Sequence, residues 1–400
     1  MVLPRFAGIR PAAVVPCATA AEVTSALARA RRSGQPVAVR GGGHCFAGRS
    51  STTGVVIDVS PMTGVRVDGE LAVVGAGTRL AEVYDRLAAY GRTIPAGCGP
   101  TVGIAGLTLG GGLGILGRRY GLTCDSLRAA TVVLADGRHV DADEDLLWLL
   151  RGGGAPGVVT SLTFATVPAP DSTAFRLAFP GPAAGDVLDA WQHALPHLDD
   201  AVAPSLVITA PAGRARPPAV SVFGAAPGPA ALDDLIRRLG QRPASDDRRH
   251  GPHHATKRWL AGEDPPDDRF AHLHSEYFRA VVPTTALVSR LVADRRPGEE
   301  RELDFSPWGG AYNRMPATAT AFPHRDARFL LKQTATVAPG DSPGDWLNAS
   351  YALTHPHGTG GAYPNFPEPG LSDEAYHLGN TAEVHRLRGV FDPQGVFSVR

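Results

Sequence analysis

The chain is poor in the residue types that would make its function easy to read. It has four cysteines in 400 residues (Cys17, Cys45, Cys98 and Cys124), scattered and without a C-x-x-C pair, which excludes a disulfide scaffold. Lysine is scarcer: only Lys257 and Lys332 occur, and the other 37 of the 39 basic residues are arginine. That skew, with abundant Ala, Gly and Pro, points to a GC-rich bacterial gene and says little about chemistry. The 39 basic residues balance 39 acidic ones, so no net field grips nucleic acid or an anionic membrane. No uninterrupted apolar run reaches membrane-spanning length. The small apolar stretch from Pro11 to Ala21 is broken by two prolines and Cys17, against a cleaved leader. There is no Gly-x4-Gly-Lys-Ser/Thr, hence no P-loop. Gly75-Ala-Gly77 has Leu80 where a dinucleotide fingerprint needs Gly or Ala, which disfavours an NAD-type site. With 43% hydrophobic and 20% charged residues the chain can build a large core and two or three domains. A globular protein located in the cytoplasm is the expectation.

Thr19-Ala-Ala-Glu22 is a capping box ahead of Val23, Ala26, Leu27 and Ala30, with Gly34 as the stop. Strands are expected at 36–40, 55–59 and 71–74, and an amphipathic helix from Thr78 to Tyr90. A hairpin should turn at Asp136-Gly137, followed by a short helix ending at Leu150 and a strand at 158–167. Strands and helices mix without a strict βαβ rhythm, so the fold class is α+β. After Pro168 the texture changes, and a domain boundary falls near residue 170. Strands at 206–209, 219–223 and 329–337 fit a second, antiparallel sheet, while the polar, Pro- and His-rich stretch 240–268 reads as a surface excursion.

Ten glycines fall within the 25 residues from Gly97 to Gly121, where average usage predicts about three. Such density lets backbone N–H groups wrap a phosphate or the polar edge of a flavin. A second cluster, Arg40-Gly41-Gly42-Gly43-His44, follows a buried strand and ends in an imidazole, a nucleophile in its neutral form. His250, His253 and His254 lack carboxylate or cysteine support and read as solvated loop rather than a metal site.

PVAVRGGGHCFAG, VVIDVSPM, GAGTRLAEVY, IPAGCGPTVGIAGLTLGGGLGILGRRYGLTCDSL and VVLADGRHV, followed by GGAYNRMPATATAFPHRDARFLL, YPNF and LRGVFDPQGVF, resemble in order the berberine-bridge-enzyme-like branch of the vanillyl-alcohol-oxidase flavoproteins. The resemblance covers nearly the whole chain and is faintest over about 170–300. It implies an α+β two-domain flavoprotein, with an FAD-binding domain at 1–170 completed by 363–400 and an antiparallel-sheet substrate lid at 171–362. Arg40, Gly41, Gly42 and Gly43 would hold the FAD diphosphate, and His44 would carry a covalent bond to the flavin. Gly48, Gly97, Gly99, Thr101, Val102, Gly103, Gly106, Gly110, Gly111, Gly112, Val158 and Asn365 complete the implied FAD contacts, with Val102 at a position that affects oxygen access. Tyr363, in Tyr363-Pro-Asn365-Phe, is the implied catalytic base, with Arg314 or Lys332 as candidates to lower its pKa.

Several positions depart from the family pattern. Relatives with a second, cysteinyl link read Gly-x-Cys-Pro-Thr-Val-Gly; here Cys98 stands one place early and Gly99 takes the linking position, so a single bond through His44 is expected. Cys45 reads as a small buried filler. Leu113 replaces a second tyrosine, and Ala155-Pro156 the usual Asn-Phe. Gln333 and Tyr312 are candidate lid contacts. The expected activity is oxidation of an alcohol or amine carbon of a small organic molecule, such as a natural-product intermediate, with O2 returning as H2O2. The departures leave two alternatives open: a flavin-containing non-redox cyclase or lyase, and a degenerate relative that only binds a small molecule.

Overall fold

A computed structural model describes residues 3, 6–213, 216–261 and 270–397. Strands Ala13–Pro16, Val55–Asp58 and Val37–Arg40 form a small parallel sheet with Val55–Asp58 in the centre. The first strand lies inside the apolar stretch after Pro11 that gave no strand signal. Helix Ala20–Arg32 makes the crossover, and its capping box forms as expected: Thr19 Oγ1 accepts from Glu22 N–H at 3.3 Å, and Glu22 Oε2 from Thr19 N–H at 3.0 Å. An adjoining five-stranded antiparallel sheet runs in the order Val65–Asp68, Leu71–Gly75, Gly157–Ala165, Leu127–Leu134, His139–Asp141, with the hairpin turning at Asp136-Gly137. Helix Leu80–Ala88 starts two residues later than expected, because the Thr78 carbonyl accepts Ile104 N–H instead of opening the helix. Its Leu80, Val83, Tyr84 and Leu87 join one apolar core with Leu27, Ile57, Leu162 and Phe164.

The second sheet has seven antiparallel strands, ordered Ser245–Pro252, Asp171–Phe179, Ala219–Ala226, Ala203–Ala210, Glu300–Pro307, Phe329–Val337, Phe270–Phe278. Period-two alternation splits its faces. Leu206, Leu303, Phe305, Phe329 and Leu331 pack under helices Ala184–Ala194, Pro229–Leu239, Thr284–Val292 and Trp346–Thr354. Tyr277 and Leu330, on the opposite face, meet Leu122, Trp308, Tyr312, Phe322 and Tyr363 in a separate cluster. The expected surface excursion at 240–268 is corrected: Ser245–Pro252 is an edge strand and His253–Leu260 a helix, while 262–268 fall outside the described residues. Its polar sequence suits an edge, where backbone groups pair on one side and charged side chains keep the other in water.

Buried polar ties join the halves. Arg325 grips Asp125 through two hydrogen bonds of 2.7 and 2.8 Å, both side chains almost wholly buried. Arg118 donates to the carbonyls of Val202, Leu195 and Leu198. The last helix, Thr381–Phe391, packs Val384 and Leu387 on Leu149 and Ala321. Breaking a buried ion pair strands one charge and costs roughly 3–5 kcal/mol. Asp125→Ala should therefore lower the thermal midpoint by several degrees, read by differential scanning calorimetry, while a surface control such as Asp68→Ala should not.

Candidate functional site

Two glycine loops lie side by side. The first follows strand Val37–Arg40, where Arg40 Nε donates to the Ser50 carbonyl at 3.2 Å and closes the loop behind His44. The second is 97–103. They touch at Gly42 and Gly103, where a Cβ on either would collide with the other's backbone nitrogen, so only glycine allows this approach. Gly43 holds φ at +78°. Among the described residues no protein group accepts a hydrogen bond from the N–H of Gly42 or Gly43. A close glycine pair with backbone donors left over fits the diphosphate and flavin edge of FAD, and His44 follows directly in the first loop.

The third glycine run carries the other half of the site. The Tyr363 Oη, buried, accepts from Gly112 N–H at 3.1 Å, Leu113 N–H at 3.2 Å and Asn365 Nδ2 at 3.0 Å. Burial pushes its pKa from 10 up to about 12, against the pull of these three donors. Asn365 also donates to the Leu107 carbonyl at 2.9 Å, so both amide hydrogens orient the phenol and the helix. Gly110 and Gly117 are glycine for a related reason: a Cβ would strike Asn365 at the first and the Tyr312 hydroxyl at the second. Tyr312 exchanges hydrogen bonds with Gly114 and stacks on Trp308 at 4.2 Å. Phe366 sets its edge to Tyr363 at 5.0 Å and meets Phe46, two residues beyond His44, at 5.6 Å. The histidine loop and the Tyr363 turn therefore belong to one site.

Other expected contacts are distributed around it. Gly97, Gly99 and Thr101 lie half-buried in the second loop, and Val102 packs partly into the N-terminal core. Gly111 faces Phe322, Gly112 faces Thr123, Gly48 lies against the Phe6 ring, and Gly106 is exposed on helix Ile104–Leu109. The Val158 side chain is wholly buried in the core opposite Val133, which leaves only its backbone for a cofactor.

Three candidates lie elsewhere than expected. Gln333 points into the helix-covered core and donates to Thr354 Oγ1 at 2.9 Å, because strand alternation turns it away from the face that carries Lys332. Arg314 is exposed and bound to Asp200 at 2.6 Å. Lys332 is held by Asp304 at 2.9 Å and Glu302 at 3.5 Å, with its ammonium 5.4 Å from the centre of the Phe366 ring, so it meets the site through Phe366. Cys98 lines a small pocket with Tyr84, Asp85, Pro100, Lys257 and Arg258. Lys257, buried, fixes that side of the loop by donating to the carbonyls of Ala96 and Gly97, and burial lowers its pKa. Cys45 is half-buried rather than buried. His253 is buried against Tyr84, and burial with Lys257 and His254 nearby pushes its pKa down to about 3. Among the described residues no three His, Cys, Asp or Glu side chains form a metal-ligating group, and no helix is long and apolar enough to cross a membrane. The role of Lys257 escaped the sequence reading, although its being one of two lysines was a usable signal.

Residues 11–143 match the family model for an FAD binding domain. The chain is 30% identical to the FAD-linked oxidoreductase YvdP of Bacillus subtilis over 403 residues, covering 94% of this chain and 88% of that protein. It is 29% identical to the aclacinomycin-N/aclacinomycin-A oxidase of Streptomyces galilaeus over 483 residues, 98% of this chain and 85% of that one. The solved structure of berberine bridge enzyme-like protein 28 from Arabidopsis thaliana superposes with a TM-score of 0.86 at 23% identity, covering 99% of this chain and 93% of that one.

The Gly42–Gly103 contact predicts that Gly42→Ala forces the two loops apart. The purified variant should carry less than about a tenth of the wild-type flavin, read from the ratio of absorbance at the flavin band and at 280 nm, a loss typical of displacing backbone donors from a bound anion.

Proposed function

The chain belongs to the berberine-bridge-enzyme-like family of FAD-linked oxidoreductases, and we propose that it is an oxidase that removes two electrons and two protons from an alcohol or amine carbon of a small molecule. For a secondary alcohol, the alcohol and O2 give the ketone and H2O2. The observation that carries this is the Tyr363 oxygen, which receives three N–H donors beside the glycine loops. Bound FAD supplies the hydride acceptor and the route to O2. Tyr363, as phenolate, takes the substrate hydroxyl or amine proton, and the N–H groups of Gly112, Leu113 and the Asn365 side chain hold the charge on its oxygen until that proton arrives. Leu113, without a second phenol, leaves this proton to Tyr363 alone. His44 holds FAD by a covalent bond, and the seating of Cys98 beside Lys257 supports a single attachment. Beyond Phe366, the Lys332 ammonium is already held by Asp304 and Glu302. That engagement favours a hydroxyl- or amine-bearing substrate over an anionic one. The relationship to the aclacinomycin-N/aclacinomycin-A oxidase makes aclacinomycin-type compounds the first class to try.

Stoichiometric H2O2 with a trial substrate is the expected result across a panel of glycosides, secondary alcohols and amines. Product formation without oxygen uptake would replace the oxidase with a non-redox enzyme, and tight binding without product would leave a binding protein. Tyr363→Phe should lower kcat by roughly 10²–10⁴-fold. Because the base must first lose its own proton and its pKa lies near 12, kcat/KM should climb about tenfold per pH unit from 6 to 9 without a plateau. His44→Ala should abolish the flavin fluorescence of the protein band on an acid-soaked denaturing gel that the wild type retains.

A further inference from the structure

The segment that carries Tyr363 is held to the edge strand Phe270–Phe278 by buried carboxylates. Tyr363 N–H donates to Ser275 Oγ at 3.3 Å. Ser275 N–H donates to Glu368 Oε1 at 2.8 Å, and Ser275 Oγ lies 3.5 Å from the same oxygen. The turn from 363 to 368 is thus tied at both ends to one serine. The other Glu368 oxygen meets His274 Nδ1 at 2.6 Å, and Glu368 N–H donates to the Tyr376 hydroxyl at 2.7 Å. The preceding stretch is fixed separately: Glu276 accepts from Gly360 N–H at 2.8 Å and pairs with His355, while Tyr277 exchanges backbone bonds with Thr359 and Gly361. Glu368 keeps 8% of its side-chain exposure and Glu276 2%.

A carboxylate this deep adds little net stability, since well-packed apolar groups in place of a buried ionic cluster are often as stable. What it does supply is direction. Its acceptor sites are fixed by Ser275 and His274, and the distances from the Tyr363 oxygen to Gly112 and Leu113 leave only a few tenths of an ångström before those bonds are lost. We propose that Glu368, acting through Ser275, is a positioning residue that keeps the Tyr363 oxygen on the N–H groups of Gly112 and Leu113. This rests on Tyr363 being the base, and the test separates the two.

The holoenzyme is labelled at the tyrosine ring carbon that bears oxygen, and the Tyr363 signal among the eight tyrosines is identified by its loss in Tyr363→Phe. Glu368→Ala should move that signal by more than its line width and lower kcat at least tenfold with KM within about twofold. Glu368→Gln, whose amide oxygen still accepts from Ser275, should return the signal toward its wild-type position. If Glu368→Ala does not fold, Ser275→Ala takes its place with the same expectation. A folded variant with a lowered thermal midpoint but an unmoved Tyr363 signal would overturn the positioning role and leave Glu368 merely structural. Full activity in Tyr363→Phe would instead overturn the base, whatever the signal does.

Discussion

Tyr363 stands 251 residues beyond Gly112 in the chain, yet its phenolic oxygen lies 3.1 Å from that residue's nitrogen. A hydrogen bond of that length requires the Tyr363 turn, tied to Ser275 of the lid's edge strand, and the glycine loops to be seated correctly at once. The missing side chains at Gly110 and Gly117 make the seating sterically possible, since Asn365 and Tyr312 occupy the space that Cβ atoms would need. The glycine run 97–121 therefore meets two demands. Gly42 and Gly103 let two loops approach to present backbone donors, and Gly110 and Gly117 let Asn365 and Tyr312 reach those loops.

The seating is specified mostly by polar groups whose donors end on carbonyls. Between the halves, Arg118 serves three carbonyls and Lys257 two. An apolar interface can slide by an ångström at little cost. A buried cation that loses its carbonyls in the same slide costs the desolvation of every group left unpaired. Domain placement in this molecule is thus an electrostatic matter, although each domain interior is held by ordinary apolar packing.

The local grammar of the N-terminal half is readable in the sequence because the signals there are short-range: the Thr19–Glu22 box, the Asp136-Gly137 turn and the 3.6-residue period of Leu80 to Leu87 each act within a few residues. The tyrosine and the glycine loops were also legible, as motif residues. The edge strand Ser245–Pro252 was not, since an edge position tolerates charges that mimic a loop. Lys332 and Gln333 could not be told apart because both faces of strand Phe329–Val337 are covered, one by helices and one by the opposite half, which erases the alternation that sets register. The setting of Cys98 depends on Lys257 from a distant helix, a long-range fact that no local pattern encodes.

Arg314 and Lys332, the cations considered as activators of Tyr363, and the buried Arg325 are all committed to other partners. Arg325 is neutralised by Asp125, Lys332 by Asp304 and Glu302, and Arg314 by Asp200. What remains is hydrogen bonding, and each bond to a charged oxygen contributes about 1.5–3 kcal/mol. Three such bonds are substantial, yet burial outweighs them, because the rise from 10 to about 12 places the phenolate about 3 kcal/mol above its ordinary standing. The phenolate is therefore a minor species at neutral pH, and the donors decide how minor. Raising a base's pKa makes it pull harder on a proton, but by less than tenfold per unit, whereas the fraction present in the basic form falls by the full tenfold. Every donor that holds the Tyr363 pKa down thus gains more in population than it loses in basicity. Gly112, Leu113 and Asn365 oppose burial at the one oxygen that needs it, and they do so without placing a second charge in the pocket. A neighbouring cation would lower the pKa further, but in the same low-dielectric space it would also bind an anionic product and disfavour a protonated amine.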